Sequence, residues 1–146
     1  MIRITTKALI GWLVMMTAES IHGVLRRLFL VPYVGDSRAR QIGAIVGTAI
    51  ILAIAYLGIE WIGAKSSGAL CTVGVLWLVL SLSFEFSLGR FAFGYSWERM
   101  LADYDIRRGG LLLFGMLLLT LAPWISLTLR SRTQSRFPAL RWKIRV

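Results

Sequence analysis

Ala18-Glu19-Ser20-Ile21-His22-Gly23-Val24-Leu25-Arg26-Arg27 decides how the whole chain is read. Before it stands an apolar run of eleven residues, 8–18, preceded by Arg3 and Lys7. After it, Leu28-Phe29-Leu30-Val31 resumes the run and Pro32 stops it. Eleven apolar residues are too few to cross a hydrocarbon core, which takes about 20. One reading makes the stretch the end of a secretory signal peptide, with its basic start and short apolar centre. Cleavage would then want small side chains at Met16 and Ala18, and Met16 does not fit. The preferred reading is a helix over 7–27 that spans a membrane with Glu19 and His22 inside it. On such a helix Glu19, His22 and Arg26 are spaced i, i+3, i+7 and fall on one stripe.

Composition agrees with the spanning helix. The 146 residues are 57% hydrophobic and only 16% charged, with a mean hydropathy of +0.70. Soluble domains run at about 25% charged and about 45–50% apolar. A net charge of +10 invites a nucleic-acid reading. Here, though, the bases sit in short clusters between apolar runs, as loops do beside an anionic bilayer, so nucleic acid is not the expected partner. Cys71 is the single cysteine, which excludes an internal disulfide and a CxxC metal site.

The fold class expected is all-α: a polytopic membrane protein of four transmembrane helices, over about 7–27, 42–62, 69–88 and 109–129, in one domain. Pro32 should close the first helix, and Asp36 or Ser37 should cap the second. The second span carries Gly43 and Gly47, a GxxxG pattern that lets a neighbour approach closely. That neighbour is either a helix of the same fold or another membrane protein, including a second copy. The connection 63–68 is so short that spans two and three should form an antiparallel hairpin. Pro123 should kink or fray the end of span four.

Between spans three and four, Ser96 is a good N-cap with Glu98 behind it. Trp97, Met100, Leu101 and Tyr104 then recur at helical spacing, the pattern of a short amphipathic helix lying on the membrane surface. The segment 130–146 carries Arg130, Arg132, Arg136, Arg141, Lys143 and Arg145 with no acid, and reads as a basic, aromatic-containing tail attracted to anionic lipid. With four spans both termini share a side. That side holds nine bases and the other eight, so charge asymmetry does not orient the chain. The basic tail favours termini in the cytoplasm, in a bacterial-type cytoplasmic membrane.

Depth links the polar residues. Spans one and three run toward the same side, so Glu85 and Arg26 should lie at similar depth, with His22 and Glu19 successively deeper. An ionisable group inside a span costs at least ~2.5–3.5 kcal/mol and must find a partner or water. Glu85 should pair with Arg26 or Arg27, and Glu19 with His22. Glu19, His22, Arg26 and Glu85 are therefore the candidate binding residues, lining a funnel roofed by the segment around Trp97.

Three functions fit such a funnel. A non-enzymatic accessory or binding subunit of a membrane assembly uses it to fix helix register or hold a ligand. A proton- or cation-coupled transporter, working as a dimer, uses Glu19 as the exchanging group. The plan resembles that of the small multidrug transporters in its four spans and in a carboxylate after alanine, Ala18-Glu19. That resemblance implies a dimer and proton exchange at Glu19. The aromatic and Gly-Pro-rich patterns of that family's second and third spans have no counterpart here. His22, Arg26 and the long third connection depart from it too, so membership does not follow. Third, Glu19-x-x-His22 is half of a di-iron carboxylate motif. A transition-metal site would then need a symmetric dimer or Glu85 as a further ligand. No cofactor is otherwise expected.

Overall fold

The computed structural model describes residues 2–108 and 110–136. Helix α1, Ile2–Leu25, passes into a π turn, Arg26–Leu30, and then into α2, Val31–Val34. Pro32 therefore does not close the first helix, contrary to expectation. In a regular α-helix its ring would collide with the carbonyl four residues back, Leu28. The widened turn contains Leu28 and absorbs that collision, so a continuous helix of 33 residues reaches Val34. Gly35, at φ 79°, breaks it where other residues would be strained.

Helix α3, Asp36–Ile62, starts with Gly35 at the cap position, and neither Asp36 nor Ser37 caps it. Asp36 lies instead in the first turn, where the helix dipole favours an anion, and pairs with Arg40 one turn on. Gly63 ends α3 in the left-handed conformation, its N–H bonding the Ile59 carbonyl at 3.1 Å. Helix α4, Ser67–Ser87, is capped by Ser66, whose hydroxyl accepts from Ala69 N–H at 3.3 Å. A second π turn, Leu88–Ala92, follows it. Ser96 caps the short α5, Trp97–Ala102, and Glu98 sits in its first turn. Of its apolar set, Met100 is buried, Trp97 and Leu101 are exposed, and Tyr104 lies two residues past the end of the helix. Helix α6, Leu112–Arg136, runs through Pro123 without interruption.

Four helical segments are long and apolar enough to cross a membrane: Ile2–Val34, Asp36–Ile62, Ser67–Ala92 and Leu112–Thr133. Their large apolar side chains point outward as readily as inward. Ile45 is 67% exposed and Leu57 72%.

Contacts fix the directions. Lys7 meets Trp61 while Arg26 meets Gly43, so α1 and α3 are antiparallel. Ala8 meets Trp77 and Trp12 meets Ser81, so α1 and α4 are parallel. The four long helices form a ring in the order α1, α3, α6, α4. The expected hairpin of spans two and three is thus not a packed pair. Helices α3 and α4 run in opposite directions but lie across the diagonal, with α1 and α6 between them. Residues 63–66 cross the end of the bundle, which is why Ala64 is buried.

The two ends of the ring differ. Toward the termini a continuous apolar core joins Ala8 and Met15 of α1, Ala55, Ile59 and Ile62 of α3, Val73 and Trp77 of α4, and Leu119 and Ala122 of α6. Gly74 lets α4 lie against the backbone of α6 at Thr120. Trp77, fully buried, donates to the Ala8 carbonyl at 2.8 Å, so its polar edge is satisfied inside that core. Lys7 donates to the Trp61 carbonyl at 2.8 Å and Arg130 to that of Tyr56 at 2.6 Å. Both cations serve the last turns of α3, where the dipole is negative. Arg130 is therefore no tail residue, as expected from sequence, but a buried part of α6, ion-paired with Glu60 at 3.0 Å. Residues 131–136 of the expected lipid-binding tail, Arg132 among them, likewise continue α6. Its remainder from Phe137 on, Arg141, Trp142, Lys143 and Arg145 included, lies outside the described residues.

Candidate functional site

Away from the termini the core gives way to a cavity of about 250 Å³. Its walls hold Glu19, His22, Gly23 and Arg26 from α1 and its π turn, Ser37, Arg40 and Gln41 from α3, Glu85 from α4, and Asp103 from the loop after α5. All four candidate residues read from the sequence line this one cavity.

Glu19 and His22 meet through Oε2 and Nδ1 at 3.3 Å, one helical turn apart. Both are anchored on α1; Glu19, together with Arg26 in the π turn that follows, faces α3 at its glycines. A Cβ on Gly47 would lie 2.7 Å from Glu19 Oε2, and one on Gly43 would lie 2.5 Å from Arg26 Cδ. The Gly43–Gly47 pair thus makes room for two charged side chains of the same chain. That occupies, from within the fold, the face on which a second protein could have packed.

The expected pairing of Glu85 with Arg26 or Arg27 is absent. Glu85 accepts instead from the Tyr104 hydroxyl at 3.3 Å. Phe86, the next residue on α4, stacks on the Tyr104 ring at 6.1 Å with planes 2° apart, and so holds the phenol beside the carboxylate. Burial first, and then the charge of Glu85, push the Tyr104 phenol above the usual tyrosine range, so it remains a donor. Arg27 turns outward and donates to the Tyr95 hydroxyl at 2.7 Å, its guanidinium 5.1 Å from the Phe93 ring centre. Arg26 lies along Gly43 with Nη1 buried and no protein acceptor. Glu19 Oε1 is likewise buried without a donor.

At the mouth, Arg40 pairs with Asp36 and, at 3.3 Å, with Asp103. The loop carrying Asp103 is folded back on itself. Leu112 N–H bonds the Asp103 carbonyl at 3.2 Å and Gly110 N–H that of Asp105 at 3.0 Å. Arg40 and Asp103, which line the cavity, and Tyr104, which holds Glu85 there, are residues that sequence reading missed. The Asp36–Arg40 spacing of i, i+4 was a visible sign of the first. Nothing local marked the other two, because their partners come from distant segments.

A second recess, of about 300 Å³, lies between α3 and α6 and is lined by Ala44, Ile45, Thr48, Leu111, Phe114, Gly115 and Leu118. As for metals, no three His, Cys, Asp or Glu side chains among the described residues form a group able to hold an ion. Glu85 does not join Glu19 and His22, because Tyr104 holds it. The half-motif stays a pair within one chain. Cys71 is exposed and remote from these walls.

No protein-family model, curated protein or solved structure matches this chain. The functional reading therefore rests on the cavity itself.

Proposed function

We propose that this chain is a small integral membrane protein of non-enzymatic role, a binding subunit of a larger membrane assembly, whose polar cavity holds a ligand from the side opposite the termini. The observation that carries this reading is the split interior: an apolar core at one end and a cavity lined by Glu19, His22, Arg26 and Glu85 at the other. A network that only fixed register would be expected to close on itself. Here Arg26 Nη1 and Glu19 Oε1 are buried without partners. The termini are placed in the cytoplasm, in a bacterial-type cytoplasmic membrane.

Accessibility tests the cavity. In a Cys71→Ser background, Gly23→Cys should react quickly with a charged, membrane-impermeant thiol reagent, since nothing crowds a Cβ there. Gly11→Cys, packed against Ile62 and Trp77, should not react. Equal protection at both positions overturns the reading. On a blue-native gel the subunit should migrate with a larger partner.

A second reading, a dimeric proton- or cation-coupled transporter, is favoured by the Glu19–His22 pair at the deep end of the cavity. Glu19→Gln separates the two. A transporter keeps its expression level and loses proton-linked flux in vesicles, whereas a binding subunit shows no flux to lose.

A further inference from the structure

The polar cavity and the α3–α6 recess adjoin, because Ala44 and Leu111 line both. From that junction the recess runs past Thr48 and Phe114 to Leu118, away from the open end and toward the middle of the bundle. Its stretch on α6 is about 10 Å long at about 1.5 Å per residue. Thr48 turns its hydroxyl back onto the Ala44 carbonyl at 2.8 Å, so the walls offer an occupant little but hydrocarbon.

The charges of the cavity are unequally served. Glu19 has His22 at Oε2 while its Oε1 is buried without a donor, Glu85 has Tyr104 and Asp103 has Arg40. Arg26 has no ion pair and no acceptor at Nη1. A buried guanidinium N–H left so is costly, and an anion reaching it gains a charge-assisted bond. Depth fits a lipid phosphate. Lys7 and Arg27 bracket about 30 Å of helix, the thickness of a hydrocarbon core, which places Arg26 at headgroup level. An anion site at headgroup depth that opens sideways into an apolar groove has the shape of an amphiphile.

We propose that cavity and groove together bind one anionic phospholipid, its phosphate on Arg26 and one acyl chain between α3 and α6. This rests on the binding reading above and names its ligand class.

The test titrates delipidated, detergent-purified full-length protein with phosphatidylglycerol, phosphatidylcholine or inorganic phosphate, reading bound lipid by native mass spectrometry. Phosphatidylglycerol should bind one per chain and at least several-fold more tightly than phosphatidylcholine. Arg26→Gln should weaken it by about tenfold, the loss expected for one hydrogen bond to a charged group, while Arg26→Lys should retain most of the affinity. Gly115→Leu should weaken it through the groove alone, since only Thr48 Oγ1, at 3.9 Å, stands near a new Cβ. Unchanged binding in Arg26→Gln or in Gly115→Leu overturns the proposal. So does inorganic phosphate that displaces the lipid at equal concentration, which would mark a free-anion site. Should Gly23→Cys be accessible and the lipid results negative, the binding reading stands and only the ligand class falls.

Discussion

Glycine does three different jobs on these helices, and its neighbours tell them apart. At Gly74 a Cβ would run into the Thr120 backbone, which cannot move without separating α4 from α6. At Gly47 it would meet the end of Glu19, a flexible side chain that can shift but would leave His22. At Gly58 it would meet nothing. Gly74→Ala should therefore cost about 1–3 kcal/mol as overpacking, and Gly47→Ala less. Gly58→Ala should be neutral or stabilising by up to about 1 kcal/mol through helix propensity. Reversible unfolding in mixed detergent micelles ranks the three. If Gly74→Ala proves no worse than Gly58→Ala, the close approach of α4 and α6 is wrong. The Glu19–His22 pair could be read from the sequence because both residues ride one helix. The partner of Glu85 could not, since Tyr104 reaches it only through the fold of the loop and its stacking on Phe86. The stripe it shares with Glu19 and His22, together with depth, pointed to Arg26.

Element boundaries obey local chemistry where it is simple. Ser66 and Ser96 cap α4 and α5, and Gly63 ends α3. Ser66→Ala should cost about 1 kcal/mol, and Ser66→Asp, which keeps the acceptor, should cost much less. Equal losses in the two variants, measured by the same unfolding assay, would show that the cap contributes nothing. The sequence misled at Pro32, because a proline stop and a proline within a widened turn look alike until the backbone is known. Both π turns, Arg26–Leu30 and Leu88–Ala92, follow parallel helices at the same end of the ring. Widened turns of this kind often occur at functional sites. Here the first carries Arg26 to the cavity wall.

For the whole molecule, the number of helices long and apolar enough to cross a membrane was legible from the length and apolarity of four runs. Ring order was not, because outward-facing and inward-facing apolar residues look the same in helices apolar on every side. The short connection read at 63–68 pointed to an antiparallel hairpin, and the structure, with its antiparallel α3 and α4, instead crosses the diagonal. That crossing governs how the protein is made. Parallel neighbours meet across long stretches of chain: Trp77 and Ala8 are 69 residues apart, Arg130 and Tyr56 are 74. During synthesis α3 therefore waits with its largest interface open until α6 leaves the ribosome. A chain stopped after residue 92 should be cleared faster than the full-length protein in a pulse–chase, and supplying 93–146 in trans should slow that clearance. A long-lived truncated chain would mean that the first three long helices hold together unaided. The last of these four helices to be translated closes the ring, so quality-control proteases see an unfinished surface until it arrives.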